Sequence, residues 1–415
     1  MPNRRDVAKT WVTAAKAFRR SSQPLEAVHP WRMNTQIAIL HDGDVFFERI
    51  LAYFAAAKSS IAIELYWFES GTIAERLMVA LSAAVQRGVV VYCLLDDIGS
   101  RGLTASDRYR LRNDGINLHF YNRVRARALF QNLRRDHRKV FIIDGQVAFV
   151  GGPGIADAFL CQSPAVAWRD VLFELHGPIL NDFVNYFAQF WRLCTGEVCV
   201  LGACEVEAHF GGLLQAHESR VARSARLVLG FGERRQHIKS HGLKAIRRAE
   251  REVWFFTGYF YPSWKLRRAL RQAAGRGVLV KLLLPGPHSD HSWFAEAGRY
   301  YYRYLLAHGV HIFEYQPSFQ HAKLLVCDDW VSFGSSNQDR WNQRWNLEAN
   351  VEVQDPEFVT WLKTSFRSDF EKSKPVKLEH WLARPWWQRW KTYLLYRGSL
   401  AVELWLARRK WRRSE

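Results

Sequence analysis

Two histidines, two lysines and two aspartates recur at one spacing in this chain of 415 residues. His137, Lys139 and Asp144 follow the order His-x-Lys, four residues, Asp, and His321, Lys323 and Asp328 repeat it. Each copy opens an apolar run, Val140 to Ile143 in one and Leu324 to Val326 in the other, and then reaches Gly151-Gly152 or Gly334-Ser335. A lone His-x-Lys carries little information. Two copies with the same strand, aspartate and glycine turn downstream are specific. Alternate residues of a strand share a face, so each histidine projects to the same side as its lysine. Two imidazoles and two ammonium groups facing one cleft suit a phosphodiester. One histidine attacks phosphorus, the other protonates the leaving alcohol, and the lysines neutralise the non-bridging oxygens. The set supplies its own positive charge, so no metal and no other cofactor is expected.

The pattern resembles the paired HxKxxxxD motifs of the phospholipase D superfamily and, within it, the shorter type of bacterial cardiolipin synthase. The resemblance covers roughly residues 36–365 and is most specific from His321 to Glu352, through Gly334-Ser335-Ser336-Asn337, Asp339 and Asn346-Leu347-Glu348. It implies an α/β fold with two phospholipase D-like domains in one chain. Mixed sheets flanked by helices would be related by a pseudo-twofold axis and share one active site. It implies His137 as the phosphohistidine, His321 as acid and base, and Ser335 and Asn337 as phosphate contacts. Glu348 stands where the family keeps the carboxylate that orients a histidine, which assigns it to the second half, with Asp170 of Trp168-Arg169-Asp170 as its counterpart in the first. Asp144 and Asp328 are expected at strand ends beside the site, bonding to backbone or basic groups. The first half departs from the pattern at Gly154, where relatives have Asn, so one amide donor is expected to be missing.

The elements that must position these residues also repeat. Ile61 to Tyr66, a helical stretch, Arg87-Gly88-Val89-Val90-Val91 and Leu94-Leu95 in the first half answer Val253 to Tyr259, a helical stretch, Arg276-Gly277-Val278-Leu279-Val280 and Leu282-Leu283-Leu284 in the second. Each Arg-Gly-Val reads as a helix ending at glycine before a buried strand. The alternation describes two α/β units. The expected layout is a basic amphipathic N-terminal segment over 1–35, a first domain over 36–200, a connector over 201–235, a second domain over 236–371, and a basic tail rich in tryptophan over 372–415.

The hydrophobic share of 48% excludes a disordered chain. The net charge of +19 gathers at the ends: residues 1–20 carry six Lys or Arg and one acid, and residues 372–415 carry twelve and three. A nucleic-acid enzyme more often concentrates its charge around the binding groove, so a nucleic-acid partner is not expected. The tail holds Trp381, Trp386, Trp387, Trp390, Trp405 and Trp411, and ends in Arg408, Arg409, Lys410, Arg412 and Arg413. Tryptophan with basic residues suits an anionic membrane surface, as does a peripheral position on the cytoplasmic side of the bacterial inner membrane. The apolar part of the tail is too short and too charged to span, and the first 20 residues lack the apolar core of a signal peptide. Arg123, Arg125, Arg127, Arg134, Arg135 and Arg138 crowd the approach to His137 as either a solvated basic face or a mouth for anionic headgroups. Glu64 and Tyr66 read equally as core or substrate contacts. Cys194, Cys199 and Cys204 match no common zinc spacing. The function expected is phosphatidyl transfer between phospholipids to form cardiolipin, with hydrolysis of phospholipids, or a nuclease of the same chemistry, as alternatives. The oligomeric state is not legible.

Overall fold

The protein is described here by a computed structural model covering residues 25–126, 128–161, 167–202, 219–337 and 339–411. The amphipathic pattern of the first 24 residues, Arg127, Cys204 and the Gly211-Gly212 pair lie outside the described residues.

The first sheet contains β1 (Thr35–His41), β2 (Ser60–Leu65), β3 (Val90–Asp96), β4 (Asn117–Tyr121), β5 (Lys139–Ile143), β6 (Val147–Gly151), β7 (Val171–His176) and β8 (Ser219–Ala222), in the order β4-β3-β2-β5-β6-β7-β1-β8. The second contains β9 (Ala225–Phe231), β10 (Glu252–Phe256), β11 (Leu279–Pro285), β12 (His311–Tyr315), β13 (Leu324–Cys327), β14 (Trp330–Gly334), β15 (Leu347–Gln354) and β16 (Ser373–Val376), in the order β16-β12-β11-β10-β13-β14-β15-β9. Apart from the edge strands β8 and β16, the two orders coincide strand for strand. In each sheet the strands joined by helical crossovers are parallel, β2-β3-β4 and β10-β11-β12. The signature strands β5 and β13 run antiparallel to them. Both helix ends at Arg-Gly-Val form as expected. The helices Thr72–Gln86 and Trp264–Gly275 stop before Gly88 and Gly277, whose φ angles of 92° and 89° lie in the left-handed region open to glycine.

The sheets face each other across a shared core. Val140, Ile142, Val150, Phe173 and Leu175 from one meet Leu324, Val326, Phe333, Ala349 and Val351 from the other, with apolar faces of the helices Leu180–Thr195 and Pro356–Glu371 completing the cluster. Phe173 and Phe333 stack across this interface with centroids 3.8 Å apart. Each outer sheet face is covered by helices and has its own core.

Two expected boundaries differ from the structure. The stretch 201–235 contains β8 in the first sheet and β9 in the second, so the chain changes sheets between Ala222 and Ala225. The tail begins as structure: β16 pairs with β12, from Ser373 against Tyr315 to Val376 against Ile312. Pro375 sits in this edge strand, where a missing N–H is tolerated.

Asp144 and Asp328 sit at strand ends and bond to backbone as expected, but not beside the site. Lys139 pairs with Leu65 and Ile143 with Ile61, so Asp144 lies at the opposite end of β5 from the lysine. Its carboxylate accepts from the N–H groups of Lys58, Ser59 and Ser60 at 2.8 Å each, and Asp328 accepts from those of Glu250, Arg251 and Glu252 at 2.8–3.0 Å. Both aspartates have φ 51°, a left-handed turn conformation that Asp tolerates. They tie the signature strand to the start of its neighbour, far from the histidines. Burial alone would raise the Asp144 carboxyl, but its bonds from Ser60, Lys58 and Ser59 outweigh that and hold it below the usual range.

A depressed folded value means that Asp144 contributes stability above the unfolded carboxylate pKa and loses it as pH falls through the lower folded value. Asp144→Ala should lower unfolding free energy by about 1–3 kcal/mol at neutral pH, since three backbone donors, that of Ser60 buried, lose their acceptor. It should also flatten the acid limb of stability against pH and leave turnover well below the melting temperature unchanged. Urea titrations at several pH values check this; loss of turnover in a folded variant would return Asp144 to the chemistry.

Candidate active site

β5 and β13 bring the two signatures to the same interface, and the segment ahead of each strand is held by the other half. His137 N–H donates to Leu347 C=O at 2.9 Å, and Leu347 N–H donates to Arg135 C=O at 2.8 Å. Around the second histidine, Arg169 N–H donates to Phe319 C=O at 2.9 Å and His321 N–H to Arg169 C=O at 2.8 Å. Leu347 and Arg169 each precede a candidate acid, so these reciprocal bonds set each carboxylate against the opposite histidine.

The pairing is therefore crossed, which corrects the assignment of each acid to its own half. His137 Nδ1 lies 3.1 Å from both carboxylate oxygens of Glu348. His321 Nδ1 lies 2.6 Å from Asp170 Oδ2. Motif spacing places residues along the chain but says nothing about which half an acid faces. Lys139 Nζ donates to the carbonyl of His137 at 2.7 Å, and Lys323 Nζ to that of His321. The six residues are buried, none more than 8% exposed.

Burial dominates the electrostatics. It lowers His137 well below its usual value, assisted by the charges of Lys139 and Lys323. It lowers His321 to about 4, with Lys323 and Lys139 pushing the same way and Asp170 opposing. Each histidine thus feels both lysines, which places the two signatures around one cleft. Burial also brings Lys139 down to about 7 and Lys323 to about 8. Glu348 is pushed up to about 8 by burial against the pull of Lys139, whereas Asp170 stays below the usual range because His321 and Lys323 outweigh its burial. Burial and the two lysines thus favour the neutral imidazole at both histidines, the form that attack on phosphorus requires. An anionic phosphodiester would offset the lysines and raise whichever histidine must carry a proton.

The halves are chemically unequal. Ser335 donates to Glu348 Oε2 at 2.5 Å and accepts from Ala349 N–H at 3.0 Å. The buried Nδ2 of Asn337 has no partner among the described residues, leaving a donor for an anion. Gly152 and Gly154 occupy the equivalent positions of the first half. A Cβ on Gly152 would come within 2.4 Å of the Asp170 carboxylate, and one on Gly154 within 2.5 Å of the Trp67 carbonyl. The missing amide at Gly154 follows from this close approach.

The arginine-rich approach divides in two. Arg123, Arg125 and Arg134 are exposed. Arg135 and Arg138 are buried and form no mouth. Arg135 donates to Asp96 at 3.2 Å, and Arg138 to Glu64 at 3.0 Å, to Tyr186 at 2.7 Å and to the Glu348 carbonyl at 3.4 Å. Glu64 is thus a buried structural partner. Tyr66 belongs to the site: its ring lies 5.0 Å from that of His137, and Lys139 Nζ lies 5.2 Å from its centroid. The sequence reading missed the aromatic wall of the second histidine, where Trp168, Phe319 and Tyr259 stand 5.1, 5.5 and 6.1 Å from His321. Trp168 lies two residues from Asp170, and Phe319 lies two from His321. Proximity in sequence was the available signal for both, and no spacing rule singles out such aromatics. Arg169, which clamps Asp369 at 3.0–3.2 Å and Asp42 at 3.1 Å, was likewise missed.

The family described as "Cardiolipin synthase, PLD-like domain" matches residues 50–191 and 243–370. Cardiolipin synthase A of Pseudomonas putida (strain W619) is 30% identical over 381 residues, 89% of this chain and 77% of the relative. Cardiolipin synthase B of Salmonella typhi is 31% identical over 374 residues, 88% of each chain. Among solved structures, phosphatidylserine synthase of Haemophilus influenzae Rd KW20 is similar in fold, with TM-score 0.70 over 94% of this chain and 99% of the other at 14% identity.

The lowered lysines give a pH dependence with a definite sign. Lys139 and Lys323 are cationic below about 7 and about 8 and lose that charge above those values. The kcat/KM of the free enzyme should fall as pH rises from neutrality through this window. Ser335→Ala should lower activity about 10–100-fold, as loss of an orienting partner does, with the fold intact. Initial rates across pH check both; a profile flat or rising through the window would mean that the charge Glu348 gains there, pushed up as it is to about 8, outweighs the loss of lysine charge.

Proposed function

The chain belongs to the cardiolipin synthase family of PLD-like domains, and on that premise we propose that it is a phosphatidyltransferase acting on phospholipids, with cardiolipin as product. The observation that carries the reading is the pair of crossed histidine–carboxylate contacts, each beside a buried lysine in one cleft. In the first step His137 attacks the phosphorus of phosphatidylglycerol. The bond to the departing glycerol oxygen breaks as His321 supplies its proton, leaving a phosphatidyl-histidine. In the second step His321 takes the proton of a hydroxyl on a second phosphatidylglycerol. That oxygen attacks phosphorus, the P–N bond breaks, and cardiolipin leaves with His137 restored. One glycerol is released per cardiolipin formed, so atoms and charge balance. Lys139, Lys323 and Asn337 hold the non-bridging oxygens, while Glu348 and Asp170 steady the imidazoles that become cationic. Water as acceptor would give hydrolysis by the same steps, and the aromatic wall at His321 supports the lipid alcohol over water.

The enzyme works at an anionic membrane surface, on the cytoplasmic face of the bacterial inner membrane. No described helix is long and apolar enough to cross a membrane.

Purified protein incubated with phosphatidylglycerol vesicles should produce cardiolipin and free glycerol in equal amounts. Phosphatidic acid in their place would make the protein a hydrolase. Brief reaction with radiolabelled lipid, acid-free digestion and peptide mapping should find the label on the His137 peptide. Label on the His321 peptide alone would reverse the two roles, and label on neither with activity intact would remove the covalent step.

A further inference from the structure

A helix that packs on its own protein usually turns one apolar side inward and a polar side outward. The C-terminal helix Trp386–Trp411 does not. Its inward side is well seated. Thr392 is buried and donates to Glu296, Tyr396 stacks on Tyr300 with centroids 3.9 Å apart, and Leu395 packs against the outer core of the second sheet. The opposite side is apolar as well. Trp386, Trp387, Trp390 and Leu394 are 72%, 54%, 55% and 61% exposed, and their spacing places them on one face. Trp293, on the helix Ser292–Arg299 against which this one packs, is also 55% exposed.

The charge carried by this stretch of the helix itself has one sign, with Glu379 and Glu403 flanking it in sequence and Glu296 meeting its inward side. Residues 384–402 contain Arg384, Arg389, Lys391 and Arg397 and no acid. Tryptophans among basic residues match the headgroup layer of an anionic bilayer, where the indole ring takes both apolar and polar contacts and each cation is attracted. Trp293 on the neighbouring helix is joined to the active site by rings in contact. Trp293 meets Phe294 at 5.6 Å, Phe294 meets Tyr259 at 6.0 Å, and Tyr259 meets His321 at 6.1 Å.

We propose that Trp386, Trp387, Trp390 and Leu394, together with Trp293, seat in the headgroup layer of an anionic bilayer and hold the His321 rim of the cleft against it. A phospholipid then presents its phosphate to the cleft while its acyl chains remain in the membrane. The inference rests on the reading of the chain as an enzyme of membrane lipids, and it adds which face meets the membrane and how that face orients the site.

The test compares the full chain with the triple variant W386A/W387A/W390A. With phosphatidylglycerol vesicles, co-sedimentation and turnover of the variant should each fall by about tenfold or more, equivalent to about 1.4 kcal/mol of docking. Turnover of a short-chain, monomeric phospholipid should be unchanged. A variant that sediments like the original chain overturns the proposal. Nitroxide labels at Leu394→Cys and, as a control on the first half, Val79→Cys give a second measurement with the remainder of the chain unaltered, after subtracting the signal of the unsubstituted chain. On vesicles the label at 394 should become accessible to oxygen and shielded from a nickel chelate, and the label at 79 should stay aqueous. If the triple variant loses the soluble reaction too, the labels decide. An aqueous label at 394 on vesicle-bound protein, or self-association of the chain that masks this face without vesicles, sinks the proposal. Absence of cardiolipin with docking intact would instead refute the functional reading alone.

Discussion

Each histidine of the cleft depends on a carboxylate carried by the other half of the chain. Burying two lysines, two acids and two imidazoles between sheets is costly unless every group meets a partner in register. The reciprocal backbone bonds of His137 with Leu347 and of His321 with Arg169 supply that register. The Phe173–Phe333 stack and the Arg169–Asp369 ion pair brace the same interface across the halves. Separate the sheets and both histidines lose their acids together. The site therefore cannot be assembled from either half alone, and the duplicated fold is a requirement of the chemistry as well as a record of repetition.

The duplication is not a copy in every detail, and the differences gather around the two acids. Glu348 is held by the hydroxyl of Ser335, and its backbone carbonyl meets the buried Arg138. Asp170 faces Gly152, whose missing Cβ leaves room for its carboxylate, and the residue equivalent to Arg138 is Ala322. Burial wins at Glu348, which is pushed up although Lys139, Ser335 and Arg138 all pull it down, and loses at Asp170, which His321 and Lys323 hold down. Two histidines on one scaffold thus have acids of different basicity, a physical basis for unequal roles in attack and proton transfer.

Much of the fold was legible because a repeated signature restricts two places at once. His-x-Lys on a strand, with a glycine turn behind it, specified β5 with β6 and β13 with β14, and the Arg-Gly-Val turns marked the preceding helix ends. What stayed hidden depends on contacts between distant residues. The crossed acids follow from how the halves dock, which no spacing encodes. Asp144 and Asp328 read as neighbours of the histidines because they are close in sequence, but an extended strand carries them to the opposite end of the sheet. Arg135 and Arg138 read as surface charge because arginine is usually exposed, until Asp96 and Glu64, 39 and 74 residues away, supplied the partners that permit burial.

The C-terminal helix shows the same limit from the other direction. Its sequence lacks a clear apolar stripe because Thr392, Leu395 and Tyr396 face the protein while Trp386, Trp387, Trp390 and Leu394 face away. A periodicity test assumes one apolar environment, and a helix lying between a protein and a second apolar phase has two. Packing on the core and docking on a membrane are then not competing explanations of the tryptophans. The inward contacts fix the helix to Ser292–Arg299, and only a helix fixed there could hold its outward face in a constant relation to Tyr259 and His321. On the proposed docking, the rigidity of the seat is what gives the surface contact its consequence for the active site.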